Sequence, residues 1–235
     1  MDGNKIVGCE VIRFDANKNI FVADKKLTAI EKVFDLRLNG EYFRKIFCSP
    51  NDLEDLVFGI LAQTGKIFSA DDVINITLGD SIIEVETKTF APPEQKFSTE
   101  VKFVAKDILS CADKLLGELS ATHNKTNGVH SGVLFDGKKI LLLREDIGRH
   151  NVFDKIHGAA LREKIFLADK MIIFSGRCSS EMMIKVARMN VPVVVAKSVP
   201  TTHAINLAEK FGITLVGRLR ADSFCIYTNY QRIVL

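Results

Sequence analysis

The sequence predicts an α/β protein, with a mostly parallel sheet and flanking helices in its C-terminal part and a smaller α+β unit before it. Three observations predict this. From about residue 129 onward, short apolar runs alternate with amphipathic segments, as strand–helix units with right-handed crossovers do. Two of those runs, Met171-Ile172-Ile173-Phe174 and Val193-Val194-Val195-Ala196, are continuously apolar, as strands buried on both faces are. Ahead of residue 97 the order differs, with hairpin signals on either side of a single helix.

Residues 6–14 and 32–47 read as strands, the second stretch folded back at Asn39-Gly40, a tight hairpin turn. Ser49-Pro50-Asn51-Asp52 is expected to open a helix, with Ser49 as N-cap and Pro50 at the first helical position. Leu53, Leu56, Val57, Ile60 and Leu61 form its apolar stripe, and Gly65 ends it. Residues 73–77 and 82–87 form a second hairpin around Gly79-Asp80. Pro92-Pro93 bars helix and central strand alike, so 90–96 reads as a linker between domains at 1–97 and 98–235. A helix over 102–118 follows, then strands at 129–135 and 139–143 joined by Asp136-Gly137. Helices at 151–162, 179–190 and 202–211 then alternate with strands at 170–174, 192–197 and 213–216, and 224–228 is a last strand.

Composition narrows the function classes. Hydrophobic residues make up 47% of the 235, enough for a large core without disulfide or metal support. Against 32 Lys+Arg stand 29 Asp+Glu, a net charge of +3, and there is no Trp and only 3 Tyr. A nucleic-acid binder would show a basic stripe and aromatic platforms, so DNA and RNA are not expected partners. No run approaches the roughly 18 apolar residues of a membrane span, and no signal core follows Met1, so a cytoplasmic location is expected. The five cysteines, Cys9, Cys48, Cys111, Cys178 and Cys225, include no CxxC pair and read as separate thiols.

Four polar segments leave the carboxyl ends of predicted strands, where an open α/β sheet has its binding crevice. Arg144-Glu145-Asp146-Ile147-Gly148-Arg149-His150-Asn151 crowds carboxylates, guanidiniums and an imidazole into eight residues. Ser175-Gly176-Arg177-Cys178-Ser179-Ser180-Glu181 runs from a buried strand into a helix, an arrangement suited both to capping and to cradling an anion. A helix N-terminus lowers a thiol pKa, but the residues alone do not make Cys178 a nucleophile. Ser198-Val199-Pro200-Thr201-Thr202-His203 repeats the strand-to-helix pattern with hydroxyls. In Gly217-Arg218-Leu219-Arg220-Ala221-Asp222, two arginines form a surface pair with the carboxylate or grip phosphates. His130 stands apart, at the start of a strand. Zinc nucleobase deaminases need H-x-E and P-C-x-x-C at two helix starts. Here His130-Ser131-Gly132 has no Glu and the 175–181 segment has a single Cys, so no zinc is expected.

These residues resemble a known family, the formate dehydrogenase accessory sulfurtransferases called FdhD. The likeness covers roughly 27–233. In the first half it includes Asn39-Gly40, Pro50, Leu53, Leu56, Gly59 and Gly65. The central signature is Glu145-Asp146-Ile147-Gly148-Arg149-His150-Asn151 with Asp154-Lys155 and Gly158; a second is Ser175-Gly176-Arg177 with Ser179 and Glu181. Ser198, Pro200-Thr201, Thr214-Leu215-Val216-Gly217 and Tyr227-Thr228 complete it. The resemblance implies a cytidine-deaminase-like α/β domain without the zinc site, in a cytoplasmic homodimer. It implies sulfur taken as a persulfide from a cysteine desulfurase and passed to bis-molybdopterin guanine dinucleotide before that cofactor enters formate dehydrogenase. The loop after the last buried strand would contribute to cofactor binding, here Arg218, Leu219, Arg220, Ala221, Asp222 and Ser223. The anion cradles would meet the guanine-nucleotide ends through His130, Asp146, Arg149, His150, Ser175, Arg177, Ser198 and Thr201. Two departures stand out. The family's C-G-x-C-type loop corresponds to Lys88-Thr89-Phe90-Ala91-Pro92-Pro93-Glu94-Gln95, which has no cysteine, so the catalytic assignment carries over to no residue and Cys178, beside Arg177 at a helix start, is a weak substitute candidate. The alternative is therefore a cofactor-binding relative without sulfur transfer. Asn127 and Asn190 stand where the family usually has glycine, and both suit left-handed turns.

Overall fold

The computed structural model describes residues 5–88, 101–119 and 121–235. The proposed linker at 90–96 lies outside them. The chain opens with an antiparallel ribbon of two strands, β1 (Ile6–Asp15) and β2 (Ile20–Ala29). The sequence reading missed β2, because Asp24-Lys25-Lys26 breaks its apolar alternation.

β3 (Lys32–Leu38) and β4 (Glu41–Cys48) then form the hairpin expected at Asn39-Gly40. Both turn residues have positive φ, 53° and 84°, which fits a two-residue hairpin turn. α1 (Leu53–Gln63) follows, and then β5 (Val73–Leu78) and β6 (Ile82–Thr87). The sheet order is β4-β3-β6-β5, with β3 and β6 parallel. Its core joins Phe34, Leu36 and Ile46 of the sheet to Leu56, Val57, Ile60 and Leu61 of α1. The expected cap at Ser49 is corrected. The helix starts three residues later behind Asp52, whose φ is 51°, and Ser49 is put to another use at the site.

The C-terminal part begins with β7 (Phe103–Val104) and α2 (Ala105–Lys114). A π-helical turn at Leu115–Leu119 and the short α3 (Ala121–Thr126) follow, so the expected 102–118 helix is interrupted. β8 (His130–Phe135), β9 (Ile140–Asp146), α4 (Arg149–Arg162), β10 (Met171–Phe174) and α5 (Ser180–Arg188) come next. β11 (Val193–Ala196), α6 (Thr202–Lys210), β12 (Thr214–Gly217), β13 (Cys225–Ile226) and β14 (Ile233–Val234) complete the chain. β14 pairs with β7, and both were missed for their shortness.

The main sheet runs β13-β12-β11-β10-β8-β9. Only β10–β11 and β11–β12 pair in parallel; β8–β9, β8–β10 and β12–β13 are antiparallel. The mostly parallel sheet of the sequence reading is thus a mixed one. A tight turn at Asp136-Gly137 cannot make the crossover that parallel pairing requires, so β9 returns alongside β8. Successive residues of the strands face opposite layers. Ile172, Val194 and Leu215 pack in the core that contains Val152, Met183 and Ala204 of α4, α5 and α6, whereas Met171, Ile173 and Val195 pack with Ile108 and Cys111 of α2.

The two sheets are linked where α1 crosses α4. A Cβ on Gly59 would lie 1.8 Å from the Asp154 carbonyl oxygen, and one on Gly158 would lie 1.8 Å from that of Asp55. Only hydrogen at both positions allows the backbones to meet. Asp55, buried beside this crossing, takes two bonds from Arg144 and one from Arg162, tying α1 to the end of β9. Asn127 and Asn190 do adopt left-handed backbone, with φ 53° and 57°.

Candidate functional site

The carboxyl ends of β9, β10, β11 and β12 and the start of the antiparallel β8 lie on one edge of the main sheet. All four polar segments therefore emerge together. Asp146 organises the first. It is fully buried, and its Oδ1 accepts from Gly148 N and Asn151 Nδ2, each at 2.8 Å. Its Oδ2 accepts from Ser49 N at 3.1 Å and lies 2.7 Å from Lys155 Nζ, itself fully buried. The four acceptor positions of a carboxylate are then occupied. Asp146 thus holds the loop in shape and is not the ligand contact expected of it. Lys155 Nζ also donates to Glu145 O, and Ser49 Oγ accepts from Ile147 N.

The loop so fixed presents Arg149 at the first turn of α4. Arg149 Nε is buried and has no hydrogen-bond partner. His130 faces Asp146 across the β8–β9 ladder and touches the Gly176 turn, where an added Cβ would lie 3.5 Å from His130 Nδ1. Burial, and then the charges of Arg149 and His123, depress the His130 pKa, so the ring is neutral at physiological pH. His150 departs from this group. Its Nε2 lies 3.3 Å from Glu181 Oε2, in a side cleft of about 360 Å³ shared with Arg44, Phe47 and Lys185.

The second segment is anchored to the sheet. Ser175 N donates to Ser131 O at 2.9 Å, and Ser175 Oγ accepts from Ser131 N. Arg177 is exposed at the head of the turn. Ser179 occupies the N-cap of α5 without making a cap hydrogen bond, and its buried Oγ has no partner. Cys178 is corrected. Its side chain belongs to the core around α5, and burial pushes its thiol up to about 12. Desolvation has overridden the helix terminus, so at neutral pH Cys178 is protonated and out of reach.

Backbone bonds join the remaining loops. Thr201 N donates to Cys178 O, Arg218 N to Ser198 O, and Leu219 N to Lys197 O. Thr201 caps α6, its hydroxyl accepting from Ala204 N at 3.3 Å. Gly217 allows this contact, because an added Cβ would lie 2.8 Å from Pro200 Cδ and 3.0 Å from Ser198 O. Beyond it, Arg218 takes a φ of 53°, and Arg220 N closes the loop on Ser223 O. Arg218, Arg220, Ala221, Asp222 and Ser223 are exposed, but Leu219 is corrected: it is 4% exposed and anchors the loop in the α2-side core. A cleft of about 270 Å³ opens between this loop and α2, with apolar walls from Leu109, Ala112 and Leu116 and polar groups from Asp113, Lys197 and Arg220.

Sequence reasoning missed several of these roles. Ser49 and Lys155 support the first loop, and Lys155 was visible only as part of a motif. The orphaned hydroxyl of Ser179 and the cleft beside Asp113 depend on tertiary packing. Cys225 was passed over as one thiol of five. It is exposed and pairs with Gly217, at the foot of the 218–223 loop. Cys48 and Cys111 are buried, each with its thiol raised to about 12 by burial. Cys9 and Cys225 are the exposed thiols. Among the described residues, no three His, Cys, Asp or Glu side chains gather where they could share a metal ion. Nor is any described helix long and apolar enough to cross a membrane.

Fold and edge together define a mixed α/β protein whose polar loops converge at one end of a six-stranded sheet. The FdhD/NarQ family model matches residues 86–234, and the chain belongs to that family. The sulfur carrier protein FdhD of Geobacillus kaustophilus is 34% identical, covering 92% of this chain and 93% of its own. The protein of the same name from Staphylococcus aureus strain MRSA252 is 32% identical, covering 100% and 98%. The fold is that of a crystal structure from Desulfotalea psychrophila, assigned as a formate dehydrogenase accessory protein. It covers 98% of this chain and 100% of that one, at a TM-score of 0.87 and 24% identity.

Proposed function

We propose that this chain is a cytoplasmic sulfur carrier for formate dehydrogenase. It would accept sulfur from a cysteine desulfurase and deliver it to bis-molybdopterin guanine dinucleotide held at the carboxyl edge of the main sheet. The observation that carries the cofactor half of this reading is a pair of buried polar groups without a hydrogen-bond partner on two loops of the same edge, Arg149 Nε, whose charge acts on His130, and Ser179 Oγ, at the N-cap of α5. A buried polar group without a partner costs roughly 1–3 kcal/mol, a cost that a bound phosphate accepting from both would remove. The α2-side cleft would hold the guanine base, with Leu109, Ala112 and Leu116 against the ring and the Asp113 carboxylate placed to accept from its N1–H and exocyclic amine.

For the sulfur half, the geometry favours Cys225. Its thiolate would attack the terminal sulfur of the desulfurase persulfide. The donor's S–S bond breaks, the donor cysteine leaves as a thiolate, and the sulfur remains as a Cys225 persulfide beside the cofactor loop. The absence of cysteine from 88–95 supports a second reading, a cofactor-binding relative without sulfur chemistry.

Nucleotide binding tests what both readings share. GDP is expected to bind and to be favoured over ADP. Arg149→Gln should weaken it roughly tenfold, the size of one charge-assisted hydrogen bond. Asp113→Ala should remove the preference for guanine. GDP that binds no better than ADP, or equally well to Arg149→Gln, would contradict this placement of the cofactor.

A further inference from the structure

We infer that the cavity between the C-terminal ends of α1 and α5 and the middle of α4 is a second ligand site, built for an uncharged heterocycle with a lactam edge, a ring N–H beside a carbonyl. This inference is independent of the proposed function.

The cavity measures about 310 Å³. α1 contributes Ala62 and Gln63, the loop after it Ile67 and Phe68, α4 His157 and Leu161, and α5 Arg188. It is remote from the polar edge of the main sheet. Ser179 stands at that edge as the N-cap of α5, and Arg188 ends the same helix, so a helix length of about 13 Å separates the two places.

The polar groups of the cavity orient one another. Gln63 is 3% exposed and His157 7%. Gln63 Nε2 donates to Lys185 O at 3.2 Å and lies 3.2 Å from His157 Nδ1. The Lys185 carbonyl fixes which way the amide points, because the reverse orientation would set the Gln63 oxygen against it. Both amide protons are then in use, one of them toward the imidazole, so His157 Nδ1 accepts. Burial, and then the Lys185 charge, bring the His157 pKa down to about 4, so the ring is neutral and its one proton sits on Nε2. That N–H donates to no described residue. Gln63 Oε1 is buried and likewise has no partner. The network leaves over one acceptor and one donor, on two bonded side chains that line the same cavity.

This pair selects the ligand. A carboxylate or phosphate has no hydrogen to give Gln63 Oε1 and is held off by it. An ammonium group has no acceptor for His157 Nε2–H, and it meets the charge of Arg188, whose Nη1 donates to Gln63 O at the wall. A neutral lactam edge answers both groups: its N–H donates to Gln63 Oε1 and its carbonyl accepts from His157 Nε2. Buried polar groups are normally paired, and such a ligand pairs the two at once. Ala62, Ile67, Phe68 and Leu161 supply apolar walls, and the face of Phe68 suits stacking on a flat ring. The volume lies at the lower end of ligand pockets, which run roughly from 300 to 1,000 Å³, so it suits one base or nucleoside and not a dinucleotide.

Calorimetry on the full chain tests this with uridine and inosine, each against its methylated form, 3-methyluridine and 1-methylinosine. The two nucleosides carry the lactam edge on a single and on a fused ring, and methylation removes its donor. At least one of them should bind at one site per chain, and its methylated form at least about tenfold more weakly. Ala62→Leu adds volume inside the cavity and keeps the Gln63–His157 pair, and it should cause a loss of the same size. Asp113→Ala, in the α2-side cleft, should leave the affinity unchanged. The methylated probes need no variant, so the test holds even if Ala62→Leu destabilises the fold. No binding of either nucleoside, methylated forms that bind as well as their parents, or a loss that follows Asp113→Ala instead of Ala62→Leu would each overturn the inference.

Discussion

Lys155→Met is expected to cost about 3–5 kcal/mol, the loss seen when one partner of a buried ion pair is removed. Lys155 and Asp146 are both fully buried and 2.7 Å apart, and the lysine also holds Glu145 O. Methionine keeps the volume but leaves the Asp146 charge without its counterion. Ser49 N, Gly148 N and Asn151 Nδ2 still donate to that carboxylate and limit the damage. Adding Asp146→Asn should restore part of the loss, because the stranded charge is gone; denaturant unfolding of both variants measures this. The effect reaches the site as well. The bonds of Asp146 shape the turn that presents Arg149, so Lys155→Met should also weaken GDP binding in whatever fraction stays folded. A loss below 1 kcal/mol would show that the pair does not organise the loop.

Gly158→Ala should cost about 2 kcal/mol or more, against the usual preference for alanine in helices. Alanine gains about 1 kcal/mol of helix propensity. That gain cannot offset a Cβ placed 1.8 Å from the Asp55 carbonyl oxygen, with the Gly59 nitrogen at 2.7 Å. The obstacle is backbone, so α1 and α4 must move apart, and overpacking of this kind costs roughly 1–3 kcal/mol or more. At this chain length each kcal/mol shifts the melting temperature by about 2–4 °C, so a fall of at least about 4 °C is expected. Gly59→Ala meets the Asp154 carbonyl in the same way and should behave alike. A variant as stable as the parent would show that the helices are not in backbone contact.

Local signals carried much of the fold. Asn39-Gly40 marked its turn because both residues must take positive φ, and the apolar runs of β10 and β11 marked strands buried on both faces. Strand direction was less legible. Helix–strand alternation applies to β10, β11 and β12, and the same logic failed for β8 and β9, whose connection is too short for a crossover. Ser49 looked like a cap because Ser-Pro is a common helix opening. Its partner, Ile147, lies almost a hundred residues away and leaves no local trace. The polar segments of the edge were legible as clusters, because each follows a buried strand. Which of their members face solvent was not. Burial decided that Asp146 and Leu219 are supports and that Cys178 belongs to the core.

Cysteine exposure decides whether this chain can carry sulfur beside a nucleotide-binding edge. The decisive measurement is intact-protein mass after incubation with a cysteine desulfurase and cysteine, followed by peptide mapping. One added sulfur is expected on Cys225, lost in Cys225→Ser and retained in Cys178→Ser. A parent that gains no sulfur while still binding GDP would contradict the carrier reading and leave a cofactor-binding relative of the family.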